Sequence, residues 1–443
     1  MSEWKSYTID ELKADYKTAI AIGPFGSRMK SDCYQSSGIP VIRGNNISDL
    51  PGFFGEFVFI SKEKAKELES SRIYESDLVF PHRGNIGEVG IVTGHQSDEY
   101  VMSSSLMKLT CNKEIVDPWF IYYFFKSNLG RRKLLQNSSQ VGTPGIATPL
   151  TSLKSLEVFL PPLDEQKEII NVLCHLDHKI ENLRKQNETL EKIAQTLFKH
   201  WFIDFEFPFD FTQGKPSING KPYKSSGGAM VSSQLGEIPA DWSVEKLGDF
   251  CGIKHGYAFK GAFITTEETD KILLTPGNFR IGGGFNSSKY KYYLSNDYGQ
   301  DYILEPGALI LTMTDLSKEG DTLGYPAFVP IKQTNVFLHN QRIGKIINSQ
   351  LDSVFLFFLL CRREYRAHIL GTASGSTVRH TSPSRILEYK FAVPNQDLLA
   401  QFSVITTNLI NKTHINCEQI DTLTKTRDTL LPRLMNGQIR VRQ

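Results

Sequence analysis

The sequence has few cysteines and no long apolar segment. Its six cysteines are widely separated, without a CxxC pair or a Cys/His cluster, and are Cys33, Cys111, Cys174, Cys251, Cys361 and Cys417. Neither a disulfide framework nor a zinc site is therefore predicted. No run reaches the roughly 18 apolar residues of a membrane span, and the N-terminal MSEWKSYTIDELK is too polar for a signal peptide. We expect a reduced, cytoplasmic protein without membrane contact.

The chain also lacks an excess of basic residues. Lys and Arg together number 50 against 48 Asp and Glu, and both signs are spread along the chain. Neutralisation of phosphates dominates non-specific affinity for nucleic acids. Any contact with DNA must therefore come from local clusters or be shared with other subunits.

Motifs of enzymes that act on DNA are missing. The chain has no Asn/Asp-Pro-Pro-aromatic tetrapeptide, as adenine methylation would need, and no GxxxxGK[ST] nucleotide loop. The Glu-Tyr-Lys at 388–390 resembles the ExK of a nuclease, but no Pro-Asp pair lies at a suitable distance upstream. We predict no catalytic residue in this chain.

Two further patterns have simple structural interpretations. A GxxGxxG pattern at 84–90 leads into strand-like IVTG rather than a helix, which favours a turn between strands over a phosphate loop. His175 and His178 lie near Asp177 at helical spacing. Both histidines fall on outer positions of the predicted helix, which favours a solvated face, and we predict no metal site.

Residues 163–200 predict one long helix, because the segment has no Gly or Pro and follows directly after Pro161 and Pro162. At about 1.5 Å per residue it would be roughly 54 Å long. Its apolar residues alternate at spacings of four and three, which is the pattern of a coiled-coil seam. The predicted seam, interrupted by one Asn, consists of Ile169, Leu173, Leu176, Ile180, Leu183, Asn187, Leu190, Ala194 and Leu197.

A second amphipathic helix is predicted in the tail, at 394–435. Its apolar edge consists of Phe402, Leu409, Ile420, Leu423 and Leu430, and the same edge also carries Thr406, Thr413, Asn416 and Arg427. We predict that the two helices run antiparallel with Asn187 facing Asn416, because a buried Asn pair would fix the register at some cost in stability. The other layers would be Leu183–Ile420, Ile180–Leu423, Leu173–Leu430, Leu190–Thr413 and Ala194–Leu409. The alternative is that either Asn faces solvent at the edge of the coil.

The chain contains an internal duplication with an offset of about 233 residues. VIRGNNI from Val41 parallels ILLTPGNF from Ile272, and VMSSSLMKL from Val101 parallels LHNQRIGKI from Leu338. These strand-like segments and one short apolar helix in each half predict a mixed α+β (α/β) fold with twisted mixed sheets. The loops between the shared elements differ in sequence and length, so a common frame carries two different surfaces.

The duplication and the two helices define the predicted domains. They are a first globular domain at 1–160, a first long helix at 161–205, a connector at 206–232, a second globular domain at 233–393, and a second long helix with the C-terminal tail at 394–443.

Three segments give the chain a family resemblance. They are LPPL at 160–163 followed by Glu165 and Gln166, LFKHWFIDF at 197–205, and the segment from Leu235 to Trp242. With the duplicated halves, they resemble the specificity subunits of Type I restriction–modification enzymes over essentially the whole chain. The second half departs from the pattern, since VPNQDLLAQ replaces PPLDEQ.

The resemblance implies a non-catalytic, sequence-specific DNA-binding subunit. Each globular half would be a target-recognition domain for one part of a split, asymmetric site. The helices would separate the domains and dock two adenine-methylating subunits, and two motor-nuclease subunits would join for cleavage. S-adenosylmethionine, ATP and Mg would belong to those partners, with no cofactor in this chain. A spacer of about 54 Å corresponds to roughly 16 base pairs, an upper bound on half-site separation.

Contacts to DNA are expected from loops of both halves. In the first half the candidates are Arg28, Lys30, Arg43, Asn45, Arg83, Asn85 and the loop from Ser139 to Thr143; in the second they are Lys260, Asn278, Arg280, Ser376 and Arg379. Arg can form two hydrogen bonds with guanine and Asn with adenine, whereas Ser and Thr more often hold phosphates. The alternative for each is a solvated charge or a turn residue. Basic residues at 131–133 and 362–363, at matched helix ends, suit either phosphate contact or solvation.

Other functional classes fit the sequence less well. A self-contained methyltransferase-nuclease is disfavoured by the missing motifs. A coiled-coil scaffold without a DNA role would explain the helices but not the duplicated domains with divergent loops. A specificity subunit of a related Type II system with a bipartite site is a further alternative.

Overall fold

The computed structural model describes residues 4–25, 28–94, 97, 99–139, 143–331 and 335–441. The chain forms two compact units: the first comprises Met1–Lys185 and Asn416–Gln443, and the second comprises Gln186–Ile415. Each long helix contributes to both units, because the division falls within it. No helix in the described ranges is long and apolar enough to cross a membrane.

Most strands are three to five residues long and fall into two sets. Those of the first unit are β1 (Lys5–Thr8), β2 (Ile20–Ile22), β3 (Ile39–Ile42), β4 (Val58–Ile60), β5 (Arg72–Tyr74), β6 (Leu78–Pro81), β7 (Gly90–Ile91), β8 (Glu99–Met102), β9 (Leu106–Leu109), β10 (Ser138–Ser139), β11 (Gly145–Ile146) and β12 (Glu157–Leu160). Those of the second unit begin with the connector strands β13 (Pro208–Asp210), β14 (Lys215–Pro216), β15 (Lys221–Pro222), β16 (Met230–Ser233) and β17 (Gly236–Pro239). They continue with β18 (Ser243–Lys246), β19 (Gly252–His255), β20 (Ile264–Thr265), β21 (Lys271–Leu274), β22 (Lys291–Tyr293), β23 (Ile303–Leu304), β24 (Leu309–Thr312), β25 (Thr314–Asp315), β26 (Pro326–Phe328), β27 (Val336–His339), β28 (Ile343–Ile347), β29 (Arg379–His380) and β30 (Lys390–Val393).

Two of the helices are far longer than the rest. The helices are α1 (Ile9–Leu12), α2 (Lys62–Glu67), α3 (Pro118–Lys126), α4 (Asn128–Leu135), α5 (Pro149–Lys154), α6 (Leu163–Phe202), α7 (Ser353–Leu360), α8 (Arg363–Thr372), α9 (Pro383–Leu387) and α10 (Gln396–Met435). Both α6 and α10 have 40 residues. The two long helices were predicted from the periodicity of their apolar residues.

The sheets of the two units repeat one topology. The first unit has sheets of order β2-β9-β6-β7 and β4-β3-β8-β5. The second unit has the equivalent sheets β19-β28-β24-β26 and β20-β22-β21-β27-β23. In each unit a single parallel pair occurs among the described strands, β3 with β8 and β21 with β27, at the same place in the frame. The predicted duplication and mixed α+β class are confirmed.

A short apolar helix forms the centre of each core because its sequence has no polar face. In α3 the carboxylate of Asp117 accepts a hydrogen bond from the backbone N of Trp119 at 2.9 Å, and Pro118 occupies the first turn. In α7 the carboxylate of Asp352 accepts from the backbone N of Val354 at 2.9 Å. These caps satisfy helix N-terminal donors, and nearly all side chains that follow are buried in their unit's core.

The buried edge of α6 differs from the predicted seam at Leu176 and Leu197, where a neighbouring residue is buried instead, and the predicted seam residues Asn187 and Leu190 are half-buried. In the first unit Ile169, Leu173, Ile180 and Leu183 are buried as predicted, but Leu176 is only half-buried and Asp177 takes the interior position with 2% of its surface exposed. In the second unit Ala194 is buried, Leu197 is half-buried, and the adjacent Phe198 is buried instead. A helix of 3.6 residues per turn drifts against a strict heptad, so a seam assigned by spacing alone can be wrong by one residue.

The tail helix α10 buries its predicted edge unevenly. Phe402 in the second unit and Asn416 in the first are buried, while Leu409, Ile420, Leu423 and Leu430 are half-buried. In the first unit Arg427 contacts Asp177 at 2.8 Å and Arg440 contacts Glu165 at 2.5 Å, so the two chain segments run antiparallel there. The Arg427–Asp177 pair falls between the predicted Ile180–Leu423 and Leu173–Leu430 layers. The Asn187–Asn416 layer stays a prediction.

Candidate nucleic-acid interface

Three turns of the first unit are held together at one end of its sheet. The backbone N of His82, just after β6, donates to the carbonyl of Ser105 at 2.9 Å. The carbonyl of His82 in turn accepts from the backbone N of Ile146 at 2.9 Å, and the backbone N of Gly84 donates to Pro144 at 2.9 Å. We call residues 82–85, 103–105 and 143–146 the first loop cluster.

The second unit repeats this hydrogen-bond pattern at equivalent positions. The backbone N of Met313, just after β24, donates to the carbonyl of Arg342 at 2.9 Å, and the carbonyl of Met313 accepts from the backbone N of Thr381 at 3.0 Å. Strands β25 and β29 then pair antiparallel, with Asp315 opposite Arg379. We call residues 313–318, 340–342 and 374–381 the second loop cluster.

A glycine brings one more segment against each cluster. A Cβ on Gly23 would lie 1.9 Å from the carbonyl oxygen of Ser103, and a Cβ on Gly256 would lie 2.2 Å from that of Asn340. Both positions therefore require glycine. In the first unit the exposed residues Phe25, Arg28 and Lys30 come shortly after Gly23 in the sequence.

The first loop cluster brings together three of the predicted DNA-binding residues. Arg83, Asn85 and Thr143 are all exposed on its turns, and Arg83 forms a bridge with Gly145. Exposed Ser139 ends β10, while residues 140–142 of the predicted loop lie outside the described residues. A histidine lies beneath these side chains: one ring nitrogen of His82 lies 3.0 Å from the carbonyl of Ser104, and burial lowers the pKa of His82, which favours the neutral ring.

The other candidates of the first unit lie on separate turns. Arg28 and Lys30 are exposed, and Arg28 donates to the carbonyl of Glu67 at 3.2 Å. Arg43 is half-buried and donates to the carbonyl of Glu56 at 3.0 Å, while Asn45 is exposed. The guanidinium of Arg43 therefore already makes a structural hydrogen bond, whereas the side chain of Asn45 is exposed to solvent.

The position of Asn278 disfavours the predicted contact with DNA. Its side chain is 0% exposed, its carbonyl oxygen accepts from the backbone N of Thr275 at 2.8 Å, and its amide donates to the carbonyls of Asn286 and Lys289, each at 3.2 Å. The equivalent Asn46 of the first unit is buried and pins the same turn. The repeated GNN and PGN segments thus mark a structural turn, because a buried amide must have its hydrogen bonds satisfied.

Of the remaining candidates in the second unit, two belong to the second loop cluster. Arg379 is half-buried and its Nε donates to the carbonyl of Lys318 at 3.0 Å, so it braces a loop, while Ser376 is exposed. Lys260 lies 3.4 Å from Asp297, and Arg280 lies 4.0 Å from Glu191 on α6. Neither makes a described contact with the cluster.

Two of the basic residues at the matched helix ends have acidic partners in their own units. Arg131 contacts Glu88 at 2.5 Å, and the Nε of Arg362 contacts Glu364 at 3.1 Å. His175 and His178 are exposed on α6, as expected for a solvated face, whereas the neighbouring Asp177 is an interior residue. Within the described ranges no group of three His, Cys, Asp or Glu side chains could hold a metal ion.

Sequence reasoning missed Leu316 and Arg366 in the second unit. Leu316 is one of the most exposed large apolar residues in the described part of the chain and begins the loop that follows β25. The guanidinium of Arg366, from α8, donates to the carbonyls of Gly320 and Leu323 at the base of that loop. The length of the loop that follows TMTD at 312–315 was a sequence signal for this feature. The sequence does not show which side chains of that loop are exposed.

The architecture is a duplicated α+β frame in which each unit carries one loop cluster, and comparison with known proteins assigns its family. The family described as Type I restriction modification DNA specificity domain matches residues 1–192 and 239–425. The chain belongs to this family of non-catalytic specificity subunits.

Relatives match over nearly the whole length. The MjaIX specificity subunit of a Type I restriction enzyme from Methanocaldococcus jannaschii is 28% identical over 93% of this chain and 89% of its own. The HindI specificity subunit of Haemophilus influenzae is 24% identical over 99% of this chain and 100% of its own. The crystal structure of a Type I S subunit from M. genitalium is similar in fold, with a TM-score of 0.56 and 15% identity, covering 97% of this chain and 96% of that one.

Proposed function

We propose that this subunit reads a split DNA target, with one half-site contacted by each loop cluster. The observation that carries the proposal is the repetition of one backbone hydrogen-bond frame around His82 and Met313, with different side chains on the two sets of loops. A duplicated frame with divergent loops suits recognition of two different short sequences, since base edges are read by side chains and phosphates mainly position the protein.

The long helices would hold the catalytic partners. Two adenine-methylating subunits would dock on α6 and α10, and two motor-nuclease subunits would join for cleavage. S-adenosylmethionine, ATP and Mg would be bound by those subunits. Solvent-facing positions on both helices, such as Ile193 and Val404, support this role, because they are large apolar side chains exposed in the free chain.

The test is a single substitution with the methylating partner present. Arg83→Ala should relax methylation specificity at one position of one half-site and leave the other half-site unchanged, because a lost base contact affects only the base it reads. The readout is sequencing of N6-methyladenine in DNA from cells that express both subunits. Lys113→Ala is a matched control, since Lys113 is exposed beyond the opposite end of β9. Uniform weakening at both half-sites would assign Arg83 to a phosphate instead.

A domain exchange tests the modular arrangement. Replacing residues 1–160 with the corresponding domain of a relative should change one half of the target and keep the other. A change in both halves would contradict the assignment of one half-site to each unit. A coiled-coil scaffold without a DNA role predicts no shift of DNA in a gel with the purified methylating partner.

A further inference from the structure

Leu316 is an exposed apolar side chain on a loop that is braced by side-chain hydrogen bonds. It is 67% exposed, whereas the residues before it, Thr314 and Asp315, are buried. A single exposed leucine needs no explanation by itself. The position of Leu316 in the second loop cluster and the bracing of its loop make it a candidate contact residue.

Side chains brace the loop from 313 to 323. The carboxylate of Asp315 accepts from the backbone N of Ser317 at 2.7 Å and from the hydroxyl of Thr322 at 2.6 Å. The Nε of Arg379 holds the carbonyl of Lys318 at 3.0 Å. Because these contacts exist before any ligand binds, the loop loses little conformational freedom on binding.

The second half of the loop, at Gly320 and Leu323, is also held by hydrogen bonds. The guanidinium of Arg366 donates to two carbonyls there and stacks 4.7 Å from the ring centroid of Tyr325. Leu316 directly follows β25, which pairs with β29, and lies in the same loop cluster as the exposed Ser376.

The repeated frame shows what stands in the same place in the first unit. His82 and Met313 make the same two backbone hydrogen bonds, so they are equivalent. The third residue after His82 is Asn85, and the third after Met313 is Leu316. One position in the frame thus carries an amide in one unit and an apolar side chain in the other.

We propose that Leu316 is a specificity-determining residue that contacts the C5-methyl group of a thymine in the half-site read by the second unit. The inference rests on the proposed DNA-reading function. A leucine cannot hydrogen-bond to a base edge, and in the major groove thymine alone among the bases presents a methyl group. The amide of Asn85 would be suited to adenine at the corresponding position of the other half-site.

The experiment removes the methyl group from the DNA and the side chain from the protein. The full chain with its methylating partner is titrated with target duplexes in which each thymine in turn is replaced by deoxyuridine. One replacement in the second half-site should weaken binding by wild type about 4-fold, the size expected for one buried methyl. Leu316→Ala should bind the thymine and deoxyuridine duplexes equally.

Two variants serve as controls. Leu294→Ala removes another exposed leucine of the second unit, 56% exposed, and should keep the dependence on thymine. Asn85→Ala should also keep it, since its effect belongs to the other half-site. Methylation of the first half-site by the Leu316→Ala complex verifies that the variant is folded and assembled.

The outcomes separate this inference from the function on which it rests. If wild type binds its target but no thymine of the second half-site depends on the methyl group, or if Leu316→Ala retains that dependence, the inference is overturned. If Leu316→Ala weakens binding to the deoxyuridine duplex by the same factor as binding to the thymine duplex, the ratio of the two affinities stays as in wild type. Leu316 would then make a wedge or a shape contact, and the inference would also be overturned. Failure of wild type to bind any duplex would instead contradict the proposed function.

Discussion

The two units use opposite chemistry where their short apolar helix meets the long helices. In the first unit the hydroxyl of Tyr123 on α3 donates to Asp177 at 2.8 Å, and Arg427 contacts the same carboxylate at 2.8 Å. In the second unit the counterpart of Tyr123 is Phe358, which packs 5.7 Å from Phe198, ring centroid to ring centroid. We call these the polar junction and the aromatic junction.

The aromatic junction is a continuous set of rings. Phe202 of α6 lies 4.9 Å from Phe355 and 4.9 Å from Phe402, and 6.1 Å from Trp242. Edge-to-face pairs of this kind add to the free energy gained by burying apolar surface. This junction is stabilised mainly by removing large side chains from water.

The polar junction surrounds a cleft of about 360 Å³ that is lined by Tyr122, Lys126 and Asp177, among others. Burial raises the pKa of Tyr123 and lowers the pKa of Lys126, as expected when charged forms are desolvated. The hydroxyl of Tyr122 has no hydrogen-bond partner within the described part of the chain. The two junctions show that the shared backbone frame determines which positions are buried. The side chains at those positions can be either apolar or paired ions.

The largest expected effect is in the aromatic junction. Phe202→Ala should lower the free energy of unfolding of the second unit by about 4 kcal/mol, because it leaves a cavity among packed rings. Urea unfolding followed by hydrogen exchange of α7 measures the loss. Ile193→Ala, at an exposed position of the same helix, should change it by less than about 0.5 kcal/mol. Equal effects of the two variants would contradict a ring-stabilised junction.

Breaking the polar junction should lower the free energy of unfolding slightly less than breaking the aromatic junction. Arg427→Met should destabilise the first unit by about 3 kcal/mol, because Asp177 would remain buried without its cation. The triple variant Tyr123→Phe, Asp177→Ile, Arg427→Met imitates the apolar chemistry of the other junction and should recover most of the loss. Hydrogen exchange of α3 amides provides the measurement. A triple variant as unstable as the single one would show that the first unit requires charges there.

The units should also differ in acid sensitivity. Burial lowers the pKa of His339 to about 4, one ring nitrogen lies 2.9 Å from the carbonyl of Ile343, and the other has no partner within the described residues. The neutral His339 ring contributes its full stability above the unfolded pKa of about 6.5. This stability is lost as the pH falls towards 4, and the loss at pH 5 is about 2 kcal/mol.

The matched residue in the first unit is Met102, which is buried and does not titrate. His339→Met should therefore flatten the pH dependence of the second unit between pH 7.5 and 5, as measured by urea unfolding with hydrogen exchange of β27. An unchanged slope would assign the acid sensitivity to other groups.

The smallest effect should be shared by both units. Asn46→Ala and Asn278→Ala should each destabilise their own unit by about 1.5 kcal/mol, because buried backbone groups lose their partners. Neither should change which bases are methylated. A specific loss of recognition in one half-site after Asn278→Ala, with stability intact, would restore a reading role for that residue.

The sequence was sufficient to predict the repeated architecture. Strand patterns such as VIRGNNI and ILLTPGNF, and the heptad spacing of α6, are local signals that depend only on which side chains must leave water. The duplication added independent support, since the same segments recurred in the same order.

Exposure of single side chains could not be predicted in the same way. Asn278 was expected at the surface and is buried, and Leu316 was overlooked and is exposed, because both facts depend on turns closed by residues distant in sequence. Asp177 was not among the predicted seam residues, yet Arg427, which is 250 residues away, makes its burial possible.

The sequence by itself therefore determined the two-domain mixed fold, the two long helices and the family resemblance, since all three follow from local periodicity and repeated motifs. Tertiary structure alone decided which loop residues face outwards together and which polar groups are paired inside. The physical reason is that a polar or apolar side chain gains its role from partners that the folded chain brings within hydrogen-bonding or packing distance.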